Sequence, residues 1–406
     1  MELRGCATSL RTFLIATAVL MGACDKLGSK KADDTGTATG TGSSGVTADP
    51  GGDKGPIKIG HFASMTGAQA TFGVSTDRAI RLAIKERNGK GGVKGRQIEL
   101  KTIDDAGKQT EAATAVTRLI NDFGAVAILG EVASSLSMAG GPIANKAKIP
   151  MISPSSTNPD VTDVGEYVFR VCFLDDFQGW VVAKFANDTL KAKTSAILFD
   201  QAQAYSTGLA DFYEKAFKEM GGDVKVKVGY TGGNLEISSQ LQQIKSAGAD
   251  VVFLPGYYSD AATIIRKSKE LGIKSVFLGG DGWDSEELGK IAGDSLDGNY
   301  FANHYSPLED RPDVKNFVTK YKAEYNAEPD GLAALGYDAA LVLFDAMERS
   351  PSLKGPDLRG AIAATKNFTG VTGTFSIDEK RNAKKSAVII KIEGGKMKIA
   401  ARIDKQ

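Results

Sequence analysis

The sequence predicts an α/β protein built from two doubly wound, Rossmann-like lobes with a hinge and a cleft between the lobes. Short runs of β-branched and apolar residues alternate with amphipathic stretches, which is typical of parallel strands joined by crossover helices. This rhythm occurs in two successive sets. The chain has 406 residues, and the part from residue 56 onwards is long enough for two domains of ordinary globular composition.

Residues 1–23 are predicted to be a signal peptide. Arg4 and Arg11 flank the positively charged start of this segment. The stretch Thr12–Ala23 that follows is almost entirely apolar, and it is shorter than the roughly 20 residues that a helix needs to cross a bilayer. The run ends in LMGAC, which resembles the cleavage box of bacterial lipoproteins. The resemblance implies that Cys24 is acylated and that Asp25 favours retention at the inner membrane. An ordinary secretory signal is the alternative interpretation.

Residues 24–55 are predicted to be the acylated cysteine and a flexible linker. After Leu27 the only large apolar residue before Gly55 is Val46, so too little surface can be buried to offset the ordering entropy. A chain rich in Gly, Ser and Thr is a flexible coil. The segment TGTATGTGSSG lacks the Gly-Lys-Ser/Thr of a phosphate-binding loop. We therefore expect a body that contacts the membrane only through its lipid anchor.

The charge and cysteine content exclude some classes of function. The formal net charge is +1, which argues against a nucleic-acid partner, because phosphate binding needs a concentrated basic face. With Cys6 in the signal peptide and Cys24 acylated, Cys172 has no partner for a disulfide. We interpret Cys172 as a small buried apolar residue.

The first lobe is predicted from alternating strands and helices. Thr76–Arg87 places Ala79, Ile80, Ala83 and Ile84 on one face at helical spacing. A glycine-rich turn follows, and the next strand alternates apolar and polar residues. The predicted strands are Ile57–Phe62, Gln97–Ile103, Ala125–Leu129 and Ile149–Ser153, and the predicted helices are Thr76–Arg87, Glu111–Asp122 and Ser134–Ala147.

The second lobe repeats the pattern, and a tail follows it. The predicted strands are Ser195–Phe199, Val224–Tyr230, Asp250–Leu254 and Ser275–Leu278, with helices between them. Tyr167–Leu174 and Gly298–Ala302 are the predicted crossovers between the lobes. The tail is predicted to form helices Asp313–Tyr325 and Leu332–Ser350 and a hairpin of Ala387–Ile392 and Met397–Ile403. The first lobe is thus residues 56–174 plus 303–370, and the second 175–302 plus 371–406.

Polar residues follow the first-lobe strands, where ligands of doubly wound sheets collect. Ser134 opens a helix, and Ser155 and Thr157 follow the next strand. Hydroxyls and free backbone N–H groups at helix starts form an anion site, which would suit a ligand carboxylate. The alternative is that each residue is only a helix N-cap.

Tyrosines and an acid follow the second-lobe strands. Tyr205, Tyr257 and Tyr258 come first, and then Asp281 with Trp283. A carboxylate near aromatic rings is suited to hold an ammonium group. The alternatives are a turn-forming role for Asp281 and edge-of-core packing for the tyrosines. Together with the donors of the first lobe, the pattern predicts a site that recognises a zwitterion.

Several segments carry a resemblance to a known family. They are IKIGHFASMTGAQATFG, AIKERNGKGGVKGRQIEL, IDDAGKQTEAATAVTRLI, MISPSSTNPDVT and FLPGYYSDAATIIRKSKELG. In order and spacing the chain resembles the branched-chain amino acid (leucine/isoleucine/valine) binding proteins of ABC transporters, which are type I periplasmic binding proteins. The resemblance implies that Ser134, Thr157 and the backbone around Ser155 bind the ligand carboxylate. It also implies that Asp281 binds the α-ammonium group and that Tyr205 and Tyr257 close over the ligand.

Departures from the family pattern bear on the ligand. Asp281 stands where the leucine type has the longer Glu, Phe72 where a tyrosine is common, and Ser155 where a small apolar residue is common. Trp283 adds bulk nearby. The implied ligand is a branched-chain or related amino acid, with a short amide, urea or an aromatic acid as alternatives. The implied partners are ABC permease subunits, with a sensory role as the alternative, and the implied state is a monomer on the periplasmic side of the inner membrane.

An enzyme is the first rival function. The chain has two histidines, His61 and His304, and no Gly-x-Ser-x-Gly pattern supports a catalytic serine. No Cys/His cluster has zinc spacing. We therefore predict no catalytic residues, no metal and no cofactor, and we interpret both histidines as structural.

Overall fold

The computed structural model describes residues 55–233 and 236–404. The predicted signal peptide, the acylation site Cys24 and the linker up to residue 54 lie outside the described residues, so they stay predictions. None of the described helices has the length and apolar character that a membrane crossing needs.

Each lobe is centred on one sheet. The first sheet has five parallel strands in the order β2-β1-β3-β4-β5. The second has seven strands in the order β14-β13-β10-β9-β8-β6-β7, in which β13 runs antiparallel to its neighbours β10 and β14 and the other neighbouring pairs are parallel. The strands are β1 Ile57–Ala63, β2 Ile98–Asp104, β3 Ala127–Leu129, β4 Met151–Ser153, β5 Val168–Arg170, β6 Thr194–Asp200, β7 Asp223–Tyr230, β8 Val251–Phe253, β9 Val276–Gly279, β10 Tyr300–Asn303, β11 Phe368–Gly370, β12 Gly373–Phe375, β13 Ala387–Glu393 and β14 Lys396–Ile403.

Helices connect the parallel strands, as the alternating sequence pattern predicts. They are α1 Ala70–Gly89, α2 Gln109–Asn121, α3 Ser134–Lys146, α4 Asp160–Asp163, α5 Asp175–Lys184, α6 Ala204–Glu219, α7 Ser238–Ala247, α8 Tyr258–Glu270, α9 Glu286–Ala292, α10 Pro312–Tyr325, α11 Gly331–Arg349 and α12 Gly355–Ala363. Strand order reverses beside β1 in the first sheet and beside β6 in the second. These switch points are where open α/β sheets bind ligands.

Helices α1 and α11 pack together on one face of the first sheet. The apolar residues Ile80, Ala83 and Ile84 of α1 are buried in this layer. A Cβ added at Gly336 of α11 would lie 2.9 Å from the Thr76 methyl carbon, so the glycine permits the two helix backbones to approach closely. The α11 part of the tail therefore packs against the first lobe.

Two features of the tail differ from the prediction. Gly298–Ala302 is not a simple crossover, because β10 forms there between β9 and β13 inside the second sheet. The predicted lobe boundary at 370 also differs from the packing: β12 pairs with β11, and Phe375 and Ile377 join the core of the first lobe. Asp338 of α11 accepts the backbone N–H of Val371 at 2.7 Å and thus fixes this hairpin to the first lobe.

A glycine in the first turns of α1 provides a test of this packing. A Cβ at Gly73 would lie closer than 3.0 Å to the Ser64 carbonyl group, and backbone there cannot yield as a flexible side chain can. We expect Gly73→Ala to lower the free energy of unfolding by about 1–3 kcal/mol, as overpacked sites do. Urea unfolding followed by circular dichroism measures this effect.

The matched control is Gly89→Ala at the other end of α1, where an added Cβ meets nothing within 4 Å. This change should be neutral or slightly stabilising, since alanine has the higher helix propensity. Equal midpoints for Gly73→Ala and the unchanged protein would show that the β1–α1 connection is looser than the structure indicates.

Candidate functional site

The predicted ligand-binding residues line one cavity between the lobes. It is lined by Phe72, Ser134, Ser155, Thr157, Tyr205, Tyr257 and Asp281, together with Val132, Gly282 and Leu332. The space between these residues is about 240 Å³, part of which is open to solvent, and about 10 Å³ of it is wide enough for the centre of a water molecule. The structure thus brings the predicted residues together in a narrow, closed cleft, and their role in binding stays a prediction.

Strand ends and helix starts position these side chains. Ser134 begins α3, directly after the segment that follows β3, and Ser155 and Thr157 lie in the loop after β4. From the second lobe, Tyr205 lies in the first turn of α6, and Tyr257 directly precedes α8. This convergence follows from parallel sheets, whose strands all end at one edge.

The first lobe contributes hydrogen-bond donors to the cavity. The hydroxyl oxygens of Ser155 and Thr157 are buried, and neither has a hydrogen-bond partner among the described residues. The N-cap residues of the neighbouring helices α3 and α4 are Ala133 and Pro159, so neither Ser155 nor Thr157 is a helix N-cap. The N-cap interpretation therefore does not account for these hydroxyls. A helix start without a side-chain cap, next to free hydroxyls, is suited to an anion.

The second lobe contributes the carboxylate of Asp281, whose side chain is only 6% exposed. Its Oδ1 atom accepts the Tyr205 hydroxyl at 2.9 Å, and its Oδ2 atom lies 3.0 Å from His304 Nε2. Its backbone N–H donates to Gln178 Oε1 at 2.8 Å. The carboxylate is therefore held by side chains from other elements, which a purely turn-forming aspartate would not need.

Aromatic rings form one wall of the cavity. Tyr205 and Tyr257 stack with their ring centroids 5.3 Å apart, and Phe72 meets Tyr257 edge-on at 5.7 Å. The Tyr257 hydroxyl is a further buried group without a hydrogen-bond partner in the described chain. The prediction that Trp283 adds bulk to the site is wrong, because its indole packs on Gly279 and donates to the Leu254 carbonyl in the second-lobe core.

A polar group at the start of α5 was not predicted from the sequence. Asp175 is fully buried, and its Oδ1 atom accepts Gln178 Nε2 at 3.2 Å. Burial, and then the nearby charge of Asp281, raise the pKa of the Asp175 carboxyl well above its ordinary value. Thr157 lies close enough to lower this pKa, although its hydroxyl and Asp175 Oδ2 form no well-directed hydrogen bond with any described residue.

Gln178 joins the two polar ends of the site. Its amide nitrogen donates to Asp175, beside Thr157, and its amide oxygen accepts the backbone N–H of Asp281. The available signal was the pair of acids Asp175-Asp176 directly after a predicted crossover. Acids in the first turn of a helix are common, so this signal alone does not indicate a site.

Direct contacts between the lobes flank the cavity. The Ser135 hydroxyl oxygen accepts the backbone N–H of Ala204 at 3.1 Å, and the Asn158 amide donates to the Ala204 carbonyl at 2.8 Å. On the other side, the hydroxyls of Thr71 and Ser285 lie 2.9 Å apart. The structure therefore shows a closed arrangement of the two lobes.

A second acidic pair lies beneath the site. The Ser64 hydroxyl lies 2.8 Å from Asp105 Oδ1 and 3.2 Å from Glu131 Oε1. A hydroxyl has one hydrogen to donate, so one of these two contacts needs a proton on a carboxyl group. Burial, and then the charge of Asp105, raise the pKa of Glu131 to about 8. A protonated Glu131 that donates to Ser64 satisfies both contacts.

This pair predicts a dependence of stability on pH. In the unfolded chain Glu131 ionises near its ordinary value of 4.5, and in the folded protein near 8. Between these pH values unfolding releases a proton, so the free energy of unfolding should fall as pH rises, by up to about 1.4 kcal/mol per unit. Urea unfolding at pH 5, 6, 7 and 8 measures the slope. Glu131→Gln should reduce this slope, whereas Asp122→Asn, the control at an exposed site, should leave it unchanged. An unchanged slope in Glu131→Gln would contradict the assignment of the raised pKa to Glu131.

Comparisons with known proteins agree with this geometry. The sequence model of the periplasmic binding protein family matches residues 56–396. The leucine-, isoleucine-, valine-, threonine-, and alanine-binding protein of Pseudomonas aeruginosa is 31% identical over 330 residues, which cover 81% of this chain and 87% of that protein.

Solved structures agree as well. The leucine-binding protein LivK of Thermotoga maritima is 40% identical with a TM-score of 0.82, covering 86% of this chain and 99% of that one. LivJ of Streptococcus pneumoniae in complex with isoleucine is 30% identical with a TM-score of 0.81 and the same coverages. A solute-binding protein of Rhodopseudomonas palustris BisB5 in complex with 3,4-dihydroxybenzoic acid is 25% identical with a TM-score of 0.78, covering 86% and 97%. The chain therefore belongs to the periplasmic binding protein family, as a type I member of the branched-chain amino acid binding group.

Proposed function

We propose that the protein is an extracytoplasmic solute-binding lipoprotein that captures a branched-chain or related amino acid in the cleft and delivers it to an ABC importer. The observation that carries this proposal is the opposite polarity of the two cavity walls. Free hydroxyls of Ser155 and Thr157 lie on one wall, and the Asp281 carboxylate lies on the other. A zwitterion places its carboxylate and its ammonium group against these walls.

The charge of the cavity disfavours ligands that are only anions. Among the described residues that line it, Asp281 is the acid, and there is no lysine or arginine. A bound aromatic acid would add a second negative charge without a cation and would leave Asp281 buried and unpaired, which is costly. An α-amino acid brings the ammonium group that neutralises Asp281.

The remaining lining favours an aliphatic side chain of modest size. Phe72, Val132 and Leu332 are apolar and buried. Burying an aliphatic group against them contributes about 1.5–3 kcal/mol for a side chain of the valine or leucine type.

The chain path supports hinge closure as the capture step. It passes between the lobes after β5, after β10 and again before β13, and several parallel crossings of this kind form a hinge. Closure would be driven by the contacts that both lobes make to one ligand.

Binding of candidate ligands to the purified chain tests the proposal. Isothermal titration calorimetry should detect leucine, isoleucine, valine, threonine or alanine, while benzoate, urea and acetamide at the same concentrations should give no heat of binding. Each amino acid has a matched control in its α-keto acid, which lacks the ammonium group. Tighter binding of benzoate or of the keto acid than of the amino acid would reject the zwitterion site.

The proposed lipid anchor has its own test. Expressed in a Gram-negative bacterium, the full chain should incorporate labelled palmitate and sediment with the inner membrane. Cys24→Ser should abolish both, because acylation needs the thiol, whereas Cys172→Ser should abolish neither. Retention of the label in Cys24→Ser would contradict the anchor and favour an ordinary secretory signal.

A further inference from the structure

His304 lies directly behind the carboxylate that the proposed function assigns to the ligand ammonium. Strands β9 and β10 are parallel neighbours, so Asp281 and His304, which follow them, lie at the same sheet edge. The His304 Nε2 atom is 3.0 Å from Asp281 Oδ2. The imidazole stacks on Phe173, with ring centroids 3.6 Å apart and planes inclined by 26°. The ring is therefore fixed by packing on one side and by the carboxylate on the other.

The contacts define the protonation state of this ring. A carboxylate oxygen accepts, so Nε2 carries the hydrogen. Nδ1 is buried and has no hydrogen-bond partner in the described part of the chain, so a second hydrogen there would be an unsatisfied donor. Burial lowers the pKa of His304, against the opposing effect of Asp281 and with a smaller lowering contribution from Lys385. The neutral Nε2–H tautomer satisfies all of these contacts.

Asp281 receives one hydrogen bond on each oxygen. Tyr205 donates to Oδ1 from α6, and His304 donates to Oδ2 from the end of β10. Two donors on different elements fix the plane of the carboxylate, because rotation about the Cβ–Cγ bond would break both bonds. Each oxygen keeps a further lone pair for a ligand N–H group.

We propose that His304 is a positioning residue of the ligand site: its neutral ring donates from Nε2 to Asp281 and holds that carboxylate in the orientation that accepts the ligand ammonium group. This inference rests on the proposed function for its ligand and on the observed contacts for its geometry. It also assigns to His304 a role that the sequence analysis described as only structural.

Calorimetry of three variants tests this role of His304, and the ligand is the amino acid that the unchanged protein binds most tightly. His304→Phe keeps an aromatic ring against Phe173 but has no donor, and should weaken binding roughly 10- to 100-fold, the range for one hydrogen bond to a charged group. His304→Gln places an amide N–H near the position of Nε2 and should recover most of the affinity. His61→Gln is the control, since His61 bonds to the Leu129 carbonyl instead, and should bind as the unchanged protein does.

Nitrogen-15 NMR measures the protonation of the His304 ring, which would not respond to the ligand or to Asp281 if the residue had a purely structural role. The chain has two histidines, so the His61→Gln spectrum assigns His304. We expect His304 to stay in the Nε2–H tautomer, without taking up a second proton, from pH 8 down to below the pH range in which histidine ordinarily titrates. We also expect the Nε2 signal to change when ligand is added and in the variant Asp281→Asn. The charged groups close to this pair include Asp175, Asp284 and Lys385, and none of them accepts a hydrogen bond from the ring.

The outcomes separate this inference from the proposed function. Unchanged affinity in His304→Phe, or a His304 ring that titrates near pH 6.5 or carries its hydrogen on Nδ1, would overturn the inference even if amino acids bind. If no amino acid binds the unchanged protein, the proposed function fails, and the response of the His304 signal to Asp281→Asn still decides whether the two side chains are coupled.

Discussion

Asp281→Ala is expected to weaken amino-acid binding by about 100-fold or more. Removing one partner of a buried, hydrogen-bonded charge pair costs about 2–5 kcal/mol, because the other charge remains buried without a partner. In this site the group left unpaired would be the ligand ammonium, in a cavity whose described lining contains no other acid. Calorimetry of the variant and of the unchanged protein with the same amino acid measures the ratio of dissociation constants.

Two variants show whether charge or shape causes the loss. Asp281→Asn keeps the shape and should lose most of the affinity, since an amide oxygen carries no charge. Tyr205→Phe removes one of the two hydrogen bonds to the carboxylate, together with the acceptor of the Gly282 backbone N–H, and should weaken binding about tenfold. If Asp281→Asn bound as tightly as the unchanged protein, the ammonium group would not be recognised by this carboxylate.

Arg170→Met is expected to lower the free energy of unfolding by about 3–5 kcal/mol, the range for breaking a buried polar network. The Arg170 side chain is buried at the end of β5. Its guanidinium donates to the carbonyls of Ser156 and Asn158 at 2.7 Å each and to that of Pro159 at 2.9 Å. Methionine fills a similar volume but leaves these buried carbonyls without a donor.

Arg381→Met is the matched control for this variant. The Arg381 guanidinium also donates to backbone carbonyls, those of Val168 and Thr162, but from a partly buried position. Water can replace the hydrogen bonds of the Arg381 guanidinium, so the free energy of unfolding should fall by about 1 kcal/mol. Urea unfolding of both variants provides the comparison. An equal loss in the two variants would mean that burial of Arg170 does not set its contribution.

Ligand binding should weaken as well in Arg170→Met, because the guanidinium fixes the loop that carries Ser155 and Thr157. Binding can be measured at a temperature where the variant is still folded. A variant that is destabilised yet binds normally would show that the loop keeps its shape through other contacts, such as the hydrogen bond from Asn158 N to the Ser134 hydroxyl.

The fold follows from the sequence wherever periodicity is strong. The strands β1 and β6 and the helix α11 carry clear apolar patterns, and their predicted bounds agree with the structure within one residue at each end. The helix α1 was also predicted, but it begins at Ala70 and not at Thr76. The elements that were missed are short. Strand β10 contains only the four residues Tyr300–Asn303, and the β11–β12 pair is fixed by Asp338 from a distant helix. Such segments depend on tertiary contacts that no local pattern contains.

The residues that line the cavity could be predicted because ligands of parallel sheets bind where the strands end, and this rule needs only the positions of the strands. Ser134, Thr157 and Tyr257 each follow a strand that the apolar runs locate correctly. Asp175, Gln178 and His304 could not be found in this way, because they come from segments that had been interpreted as crossovers or helix starts. Trp283 follows a strand as the rule requires, but its indole turns back into the core, and side-chain direction is not encoded in spacing.

The narrow space between the lobes has a kinetic consequence. Hydrogen bonds of Ala204 to the first lobe and the contact between Thr71 and Ser285 hold the lobes together on two sides of this space, so a captured solute should leave when these contacts open. Escape then waits for the protein to open, so each amino acid should dissociate at the opening rate of its own complex, and a more tightly bound amino acid should stay longer because its contacts to both lobes slow that opening.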